Sequence, residues 1–171
     1  MDKKPTREKK QAKSPQYPIE KGPSAAFLLS QVGAHAASKF GERLAKVNLT
    51  PPHAGVLRIV HNTPALTQQA LATALGTLPS RLVVLLDDLE SKELIERRPH
   101  PSDRRSYALY LTKRGEATWQ EITAIGKEHQ TSLLGGLTPA EQKQLTDLLQ
   151  KIADEQQLIP HVHPAYRNIT Q

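Results

Sequence analysis

Residues 66–114 read LTQQALATALGTLPSRLVVLLDDLESKELIERRPHPSDRRSYALYLTKR, and this stretch decides the fold. Thr67 is a typical N-cap for a short helix over TQQALATAL, and Gly76 supplies the turn that follows. The side chains that this helix is expected to bury are Ala70, Leu71 and Ala74. A longer helix then begins at Pro79 and Ser80, so the stretch opens with two helices joined by a sharp turn.

The longer helix, predicted to run to about Ser91, has two faces of different character. One face carries leucines at helical spacing, namely Leu82, Leu85, Leu86 and Leu89. The other face presents Ser80, Arg81, Val84, Asp87 and Asp88. A helix that turns its leucines inward and a short polar N-terminal end outward suits the major groove of DNA, which admits one α-helix.

Two β-prone segments follow, residues 94–98 (LIERR) and 106–112 (SYALYLT), with a polar, proline-containing segment between them. We interpret them as a β-hairpin. Its basic side chains are Arg97, Arg98, Arg104, Arg105, Lys113 and Arg114. Guanidinium groups on a thin β-loop can reach phosphates or enter a narrow minor groove. The order of elements predicts a mainly α fold with a small β-hairpin wing, a winged helix-turn-helix over residues 50–112.

Apolar helices flank this unit on both sides. Ser24 is expected to cap a helix over residues 24–47, and a capping box of Thr138 and Glu141 begins the last helix. Residues 24–47 and 113–156 carry more apolar surface than a small winged unit needs, which predicts dimerisation helices and a homodimer. A two-fold dimer would present two recognition helices to successive major grooves, about 34–36 Å apart.

The two chain ends show no pattern of buried side chains. Residues 1–23 are rich in Lys, Pro, Gln and Ser, so we expect a disordered basic N-terminal arm. Such an arm either contacts DNA phosphates or is a solvated tail, and the residues leave both interpretations open. Residues 157–171 are expected to form a C-terminal tail, because their apolar residues are scattered and have no clear period.

Composition narrows the class of protein. The 171 residues favour one domain, and an aromatic content of 4% favours helix packing over a β-sandwich. A net charge of +6 suits a polyanionic partner, although simple solubility would require the same sign. No cysteine is present, which excludes disulfides and thiolate zinc sites. No apolar run approaches the ~20 residues that a bilayer needs, and no signal peptide is recognised, so we expect a cytoplasmic protein without a membrane partner.

Residues 66–115 resemble the DNA-binding core of the multiple antibiotic resistance regulator (MarR) family. The segments that carry the resemblance are LTQQALATALG, DDLESKELIERRPHPSDRRSYALYLT and KRG. The order of the helices on either side agrees, so the resemblance covers roughly residues 24–156. It implies an obligate homodimer that binds a pseudo-palindromic DNA site, usually as a repressor. It also implies release of the DNA by a small aromatic or phenolic molecule, bound between the dimer helices and the winged unit.

The resemblance also implies which residues contact DNA. Ser80 and Arg81 fall where family members touch bases or phosphates from the recognition helix. The residues implied to contact the phosphate backbone from the preceding helix are Thr67, Gln68 and Gln69. At the wing, Asp103 would brace the loop, and Arg104 or Arg105 would enter the minor groove.

The chain departs from the family pattern at three places. Leu78, Val83 and Val84 stand where polar residues are usual, so base recognition is expected to depend on Arg81 and on Val84 against a thymine methyl group. Asp88 stands where a basic residue is common and would repel phosphate unless an arginine neutralises it. Glu93 occupies a turn position usually held by glycine, where a left-handed backbone costs about 1 kcal/mol or more.

Histidines are the remaining candidates for ligand chemistry. His35 lies beside the apolar face of the first helix and His53 opens the second, so each either lines an effector pocket or is half-buried and hydrogen-bonded. His161 and His163 alternate without a nearby carboxylate, so no metal site is predicted. Trp119 is expected in the core rather than as a ligand platform. The sequence offers no paired carboxylates in a plausible cleft, no nucleophile elbow, no phosphate loop and no HExxH, so neither an enzyme nor a cofactor is expected.

The leading hypothesis is a homodimeric, sequence-specific, DNA-binding transcriptional regulator. Its partners would be double-stranded DNA, a second copy of the chain and a small-molecule effector that relieves repression. The alternative is a winged-helix protein-interaction module without DNA binding, which the apolar Val83 and Val84 and the acidic Asp87 and Asp88 on the outer face motivate.

Overall fold

The computed structural model describes residues 22–101, 106–160, 162–163 and 166. In chain order its elements are α1 (Ala25–Ala45), α2 (Pro51–Asn62), β1 (Leu66–Thr67), α3 (Gln68–Leu75), α4 (Pro79–Ser91), β2 (Ile95–Pro99), β3 (Tyr107–Leu111), α5 (Lys113–Leu134) and α6 (Pro139–Glu155). Helices α3 and α4 with the β2–β3 hairpin form the predicted winged helix-turn-helix, so the predicted fold class is confirmed.

The helix starts follow from capping side chains in the sequence. The side-chain oxygens of Ser24, Thr67, Thr112 and Thr138 each accept a hydrogen bond from the backbone N–H three residues further on. The Glu141 carboxylate accepts a hydrogen bond of 2.8 Å from the backbone N–H of Thr138, which completes the predicted capping box. Gly76 ends α3 with φ of 60°, a left-handed conformation that glycine adopts without steric cost.

The sheet has one strand more than the sequence indicated. The predicted hairpin is present as β2 and β3, but β1 also pairs with β3 in antiparallel register, with Leu66 opposite Leu109. The strand order is therefore β1-β3-β2. A strand of two residues is too short to show a period of two, so its position could not be read from the local pattern.

The core lies between α2, α3, α4 and the sheet. Of the four leucines predicted for the inner face of α4, Leu82, Leu86 and Leu89 are fully buried, and Leu85 is half-buried. On α3 the prediction was partly wrong, because Leu71, Ala72 and Leu75 are buried whereas Ala70 is half-buried and Ala74 is exposed. Alanine and leucine occur on every side of this helix of eight residues, so their spacing alone does not single out the buried face.

The flanking helices leave apolar surface uncovered. Helix α5 packs against α1 and α2, but the N-terminal half of α1 is exposed and no residue of α6 is buried. Within the described ranges, no single helix has the length and apolar character to cross a membrane. The bent pair of α3 and α4 meets that test by length and composition only.

Candidate DNA interface and effector cavity

Helix α4 presents its N-terminal end to solvent. Burial of the three leucines on its inner face leaves Ser80 and Val84 outside, with Val84 69% exposed. Arg81 is half-buried, and no ion pair or hydrogen bond of its side chain occurs within the described part of the chain. A cation and a hydroxyl at the open end of such a helix are groups that can contact bases and phosphates in a major groove.

Asp88, the acid expected to repel phosphate, is neutralised inside the protein. Lys92, one turn further on, forms an ion pair with it, and Nε2 of His53 lies 3.1 Å from its Oδ2. The hydrogen bond from Lys92 lowers the pKa of the Asp88 carboxyl below its usual value. The neutralising charge comes from Lys92 and not from an arginine, and His53 contributes a hydrogen-bonding partner.

The other two acids of α4 are held by one arginine of the wing. Arg97 on β2 forms ion pairs with two carboxylates of α4. One guanidinium nitrogen lies 2.6 Å from Oδ1 of Asp87, and another contacts the carboxylate of Glu90. A guanidinium that bridges two carboxylates has a defined orientation, since its donors form a planar fork. Arg97 therefore attaches the root of the wing to the recognition helix.

A groove separates the start of α3 from the wing. Thr67, Gln68 and Gln69 line it on one side, and Ser106 and Tyr107 line it on the other, around a volume of about 320 Å³. Thr67 also caps α3, because its Oγ1 accepts from the N–H of Ala70 at 3.2 Å. The three residues implied to contact the DNA backbone are thus adjacent to the wing root, where one phosphate strand could pass both.

The wing tip falls partly outside the described residues. The N–H of His100 donates to the carbonyl of Ser106 at 3.0 Å, which closes the hairpin below its loop. Asp103, Arg104 and Arg105, the predicted wing contacts, lie outside the described residues, as do residues 1–21 of the basic arm predicted over residues 1–23.

One left-handed residue marks the junction between α4 and β2. Glu93, between α4 and β2, has φ of 59°, so the turn keeps the left-handed backbone without a glycine. Thr112 supports this turn, since its hydroxyl donates to the Glu93 carbonyl at 2.6 Å. Gly115 is also required there, because a Cβ at this position would lie 1.9 Å from the carbonyl oxygen of Leu94.

An apolar cavity of about 560 Å³ lies behind the winged unit. Its walls come from α1, α2, α5 and the C-terminal segment, and the lining includes Phe40, Arg58, Trp119, Ile122, Val162 and His163. Trp119 packs against the core and lines the cavity as well, so the expected core role covers only part of its environment. A concave, mostly apolar site with one cation is typical of sites for small organic anions.

A second cleft, of about 580 Å³, opens between α1 and α5. It contains His35, the first histidine suggested as an effector ligand, together with Lys39, Arg43 and His129. Two of these cations are paired, Lys39 with Glu42 at 2.7 Å and Arg43 with Glu128 at 2.8 Å. The ring of Phe40 lies 5.4 Å from that of His129, which places it between this cleft and the apolar cavity.

His53, the second suggested ligand, is 7% exposed and does not line the apolar cavity. Its Nδ1 lies 3.2 Å from the backbone nitrogen of Thr50, which donates to it, and its Nε2 faces Asp88. Burial lowers the pKa of its imidazole. Both nitrogens of the His53 ring therefore have partners. His53 links α2 to α4, and this role was not predicted from the sequence. The available signal was the position of His53 three residues after Thr50, where a capping box normally has Glu or Gln.

An exposed helix end, an adjacent groove and a hairpin attached to the same helix define a winged helix-turn-helix DNA-binding protein. The family model of the MarR family matches residues 49–107. The transcriptional repressor CouR, solved bound to a 23-mer DNA duplex, is 32% identical, with a TM-score of 0.68 over 76% of this chain and 92% of its own. The chain belongs to the MarR family of transcriptional regulators.

Two further relatives extend this comparison. A putative transcriptional regulatory protein for the hcr operon of Thauera aromatica is 34% identical over 104 residues, which cover 61% of this chain. The match spans 63% of the length of that relative. A MarR-family protein of Mycobacterium tuberculosis, solved in complex with salicylic acid, is 26% identical, with a TM-score of 0.61 over 78% of this chain and 99% of its own.

Proposed function

We propose that this chain is a homodimeric repressor that binds a pseudo-palindromic operator and is released from it by a small aromatic acid. The observation that carries the DNA-binding part is the charge arrangement on α4. Its acids Asp87, Asp88 and Glu90 are all paired within the protein, whereas Arg81 at the open N-terminal end has no such partner among the described residues. The helix therefore offers positive charge where DNA would approach.

The predicted contacts divide into two kinds. Arg81 and Ser80 would meet base edges, with Val84 against a thymine methyl group. Thr67, Gln68 and Gln69 would contact the phosphate strand beside the wing root, and Arg104 or Arg105 would enter the minor groove with Asp103 bracing the loop. CouR, a structural relative solved bound to a 23-mer duplex, supports DNA binding by this fold.

Uncovered apolar side chains support the homodimer. They lie on α1 and α6 at Phe27, Leu28, Leu29, Val32, Leu148, Leu149 and Ile152. Each of these is at least 38% exposed, and exposed apolar side chains grouped on helices typically mark an interface. A two-fold axis through these helices would place two copies of α4 in successive major grooves, about 34–36 Å apart.

The apolar cavity supports the effector. An aromatic ring fits among Phe40, Trp119 and Ile122, and Arg58 supplies a cation at the lining for a carboxylate. The Mycobacterium tuberculosis relative with salicylic acid makes this class of ligand the first to test. Because α2 lines the cavity with Arg58 and touches α4 through His53, a ligand that displaces α2 would move the recognition helix.

Selection of binding sites from random duplex DNA tests the proposal. We expect the wild-type protein to enrich an inverted repeat with half-sites about one helical turn apart. Titration of the selected duplex should give one dimer per site, and salicylate should lower the affinity. Enrichment of no repeat would contradict the operator, and binding of single half-sites by monomers would contradict the dimer.

One observation favours a second candidate function, a winged-helix module that binds a protein. Leu78 and Val84 at the start of α4 are 57% and 69% exposed, which is unusual on a surface that contacts DNA. The same selection experiment separates the two candidates. A protein-interaction module would recover no consensus, and its retention on DNA would show no steep dependence on salt.

A further inference from the structure

The chain turns back on itself after α6. Gln157 has φ of 51°, and the N–H of Leu158 returns to the carbonyl of Ala153 at 2.9 Å, which ends the helix. The segment that follows was expected to be a tail without pattern. Instead Val162 packs against the hydrophobic core and Tyr166, 3% exposed, is part of it. We call residues 158–160, 162–163 and 166 the C-terminal strap.

Tyr166 fastens the strap to α2. Its hydroxyl donates a hydrogen bond to the carbonyl of Pro52 in the first turn of that helix. Its ring lies against Gly55, where an added Cβ would come within 2.4 Å of the Tyr166 hydroxyl oxygen. Glycine in the middle of a helix is unfavourable. At Gly55 the missing side chain leaves the space that the Tyr166 ring occupies.

A second glycine receives the other end of the strap. At Gly76, in the turn between α3 and α4, an added Cβ would lie 2.6 Å from Cδ1 of Ile159. A small cavity of about 110 Å³ between the strap and the end of α3 is lined by Leu75, Gly76 and strap side chains. The strap is therefore docked at two points where the winged unit has no side chain of its own.

Between these two points the strap forms one wall of the effector cavity. Val162 and His163 line it, and the ring of His163 packs against that of Phe40, another lining residue, with 6.0 Å between the ring centroids. Burial lowers the pKa of the His163 imidazole, which keeps it neutral near neutral pH. A neutral imidazole at an apolar wall can exchange a hydrogen bond with a hydroxyl or carboxyl group on an aromatic ring.

We propose that the C-terminal strap is the outer wall of the effector site, with Tyr166 as its positioning residue and Val162 and His163 as specificity-determining residues for a hydroxylated aromatic carboxylate. This proposal rests on the proposed effector function. The strap, docked through Tyr166 and Ile159, forms one wall of the cavity and places His163 beside a substituent of a bound ring. Loss of the anchor opens the cavity to solvent without removing any group from the DNA interface.

The first experiment needs no ligand. Trp119 is the only tryptophan of the chain and lines the cavity, so its fluorescence reports access to that space. In the full-length protein, Tyr166→Ala should raise the collisional quenching of Trp119 by acrylamide about twofold, as expected for local opening. Tyr166→Phe should raise it less, since the ring still docks on Gly55. The control Gln156→Ala, exposed at the end of α6, should leave it unchanged. Equal quenching of Tyr166→Ala and wild type would overturn the proposal.

The second experiment uses salicylate and benzoate in isothermal titration calorimetry. Tyr166→Ala should weaken salicylate binding about tenfold, and His163→Ala should reduce the preference for salicylate over benzoate. Unchanged affinity and preference in both variants, with salicylate bound by the wild type, would overturn the strap alone. Failure of the wild type to bind either acid would overturn the effector function, and Trp119 quenching would still decide whether the strap covers the cavity.

Discussion

Nε2 of His53 lies 3.1 Å from Oδ2 of Asp88, so a buried imidazole on α2, which lines the apolar cavity, contacts a carboxylate on α4. The same ring accepts a hydrogen bond from the backbone N–H of Thr50 at the start of α2. One side chain thus orders the entry to α2 and fixes its distance from α4. A histidine at this capping position serves both contacts, whereas the more usual glutamine would serve the first more readily than the second.

Replacement of His53 should therefore lower stability, and alanine should lower it more than glutamine. His53→Ala is expected to lower the free energy of unfolding by about 1–3 kcal/mol, because it leaves a cavity and an unpaired backbone N–H. His53→Gln should cost less, since it keeps an acceptor for Thr50. Urea unfolding at one protein concentration measures both, with exposed Lys127→Ala as the control within about 0.5 kcal/mol. A His53→Ala variant as stable as the control would contradict the link.

Stability should fall in mild acid. Burial lowers the pKa of His53, His129 and His163 below their ordinary value of 6.5, so the unfolded chain binds protons more readily than the folded one. The stabilisation from burying neutral imidazoles is complete above pH 6.5, the ordinary pKa of histidine. It is lost as the pH falls through the lowered pKa values of the folded protein. Urea midpoints between about pH 7.5 and pH 5 should decrease, and His53→Gln should flatten part of that decrease. A midpoint that is constant over this range would contradict the prediction.

Two glycines of α5 should respond in opposite ways to the same substitution. Gly115→Ala drives a Cβ into the Leu94 carbonyl and should destabilise the protein by about 3 kcal/mol. Gly126→Ala meets no atom within 4 Å and should stabilise it by about 0.5–1 kcal/mol through helix propensity. Thermal unfolding of the two variants at equal concentration compares them directly. A Gly115→Ala variant that melts with the wild type would show that the junction between wing and helix is looser than described.

Arg97 should affect DNA binding through geometry rather than charge. Arg97→Ala frees the carboxylates of Asp87 and Glu90 and releases the wing from α4, so affinity for the selected operator should fall about tenfold. Arg98→Ala removes the same charge from the same strand, but this side chain is 57% exposed, pairs with Glu96 and stacks on Tyr110. Its effect should stay within about threefold. Fluorescence anisotropy measures the affinity of both variants. Equal losses of affinity would show that Arg97 acts through its charge alone and would contradict its role in positioning the wing.

Local signals in the sequence predicted most elements of the fold. Ser24, Thr67, Thr112 and Thr138 start helices because each satisfies an N–H group within its own turn, and the leucines of α4 show their period directly. These signals lie within a few residues of one another. The predictions for α3 and for the number of strands failed where segments were too short to carry a period.

Contacts between distant residues were not predictable in this way. His53 meets Asp88 across 35 positions, and Tyr166 meets Pro52 across 114. Neither pair has a spacing that recurs along the sequence, because each contact depends on how the folded helices pack together. The candidate DNA contacts came from the resemblance to a family, and the structure adds what the sequence lacked: paired acids on α4 and an anchored wing root.

The measurement that tests the central claim most directly is the salt dependence of DNA binding by wild type and Arg81→Ala. The duplexes are the selected inverted repeat and a scrambled duplex of the same composition. We expect wild-type affinity for the repeat to fall linearly in log–log form as salt rises, because neutralised phosphates release counterions. Arg81→Ala should lose about tenfold or more on the repeat and much less on the scrambled duplex. Equal wild-type affinity for the two duplexes, or equal losses on both, would contradict sequence-specific recognition through α4.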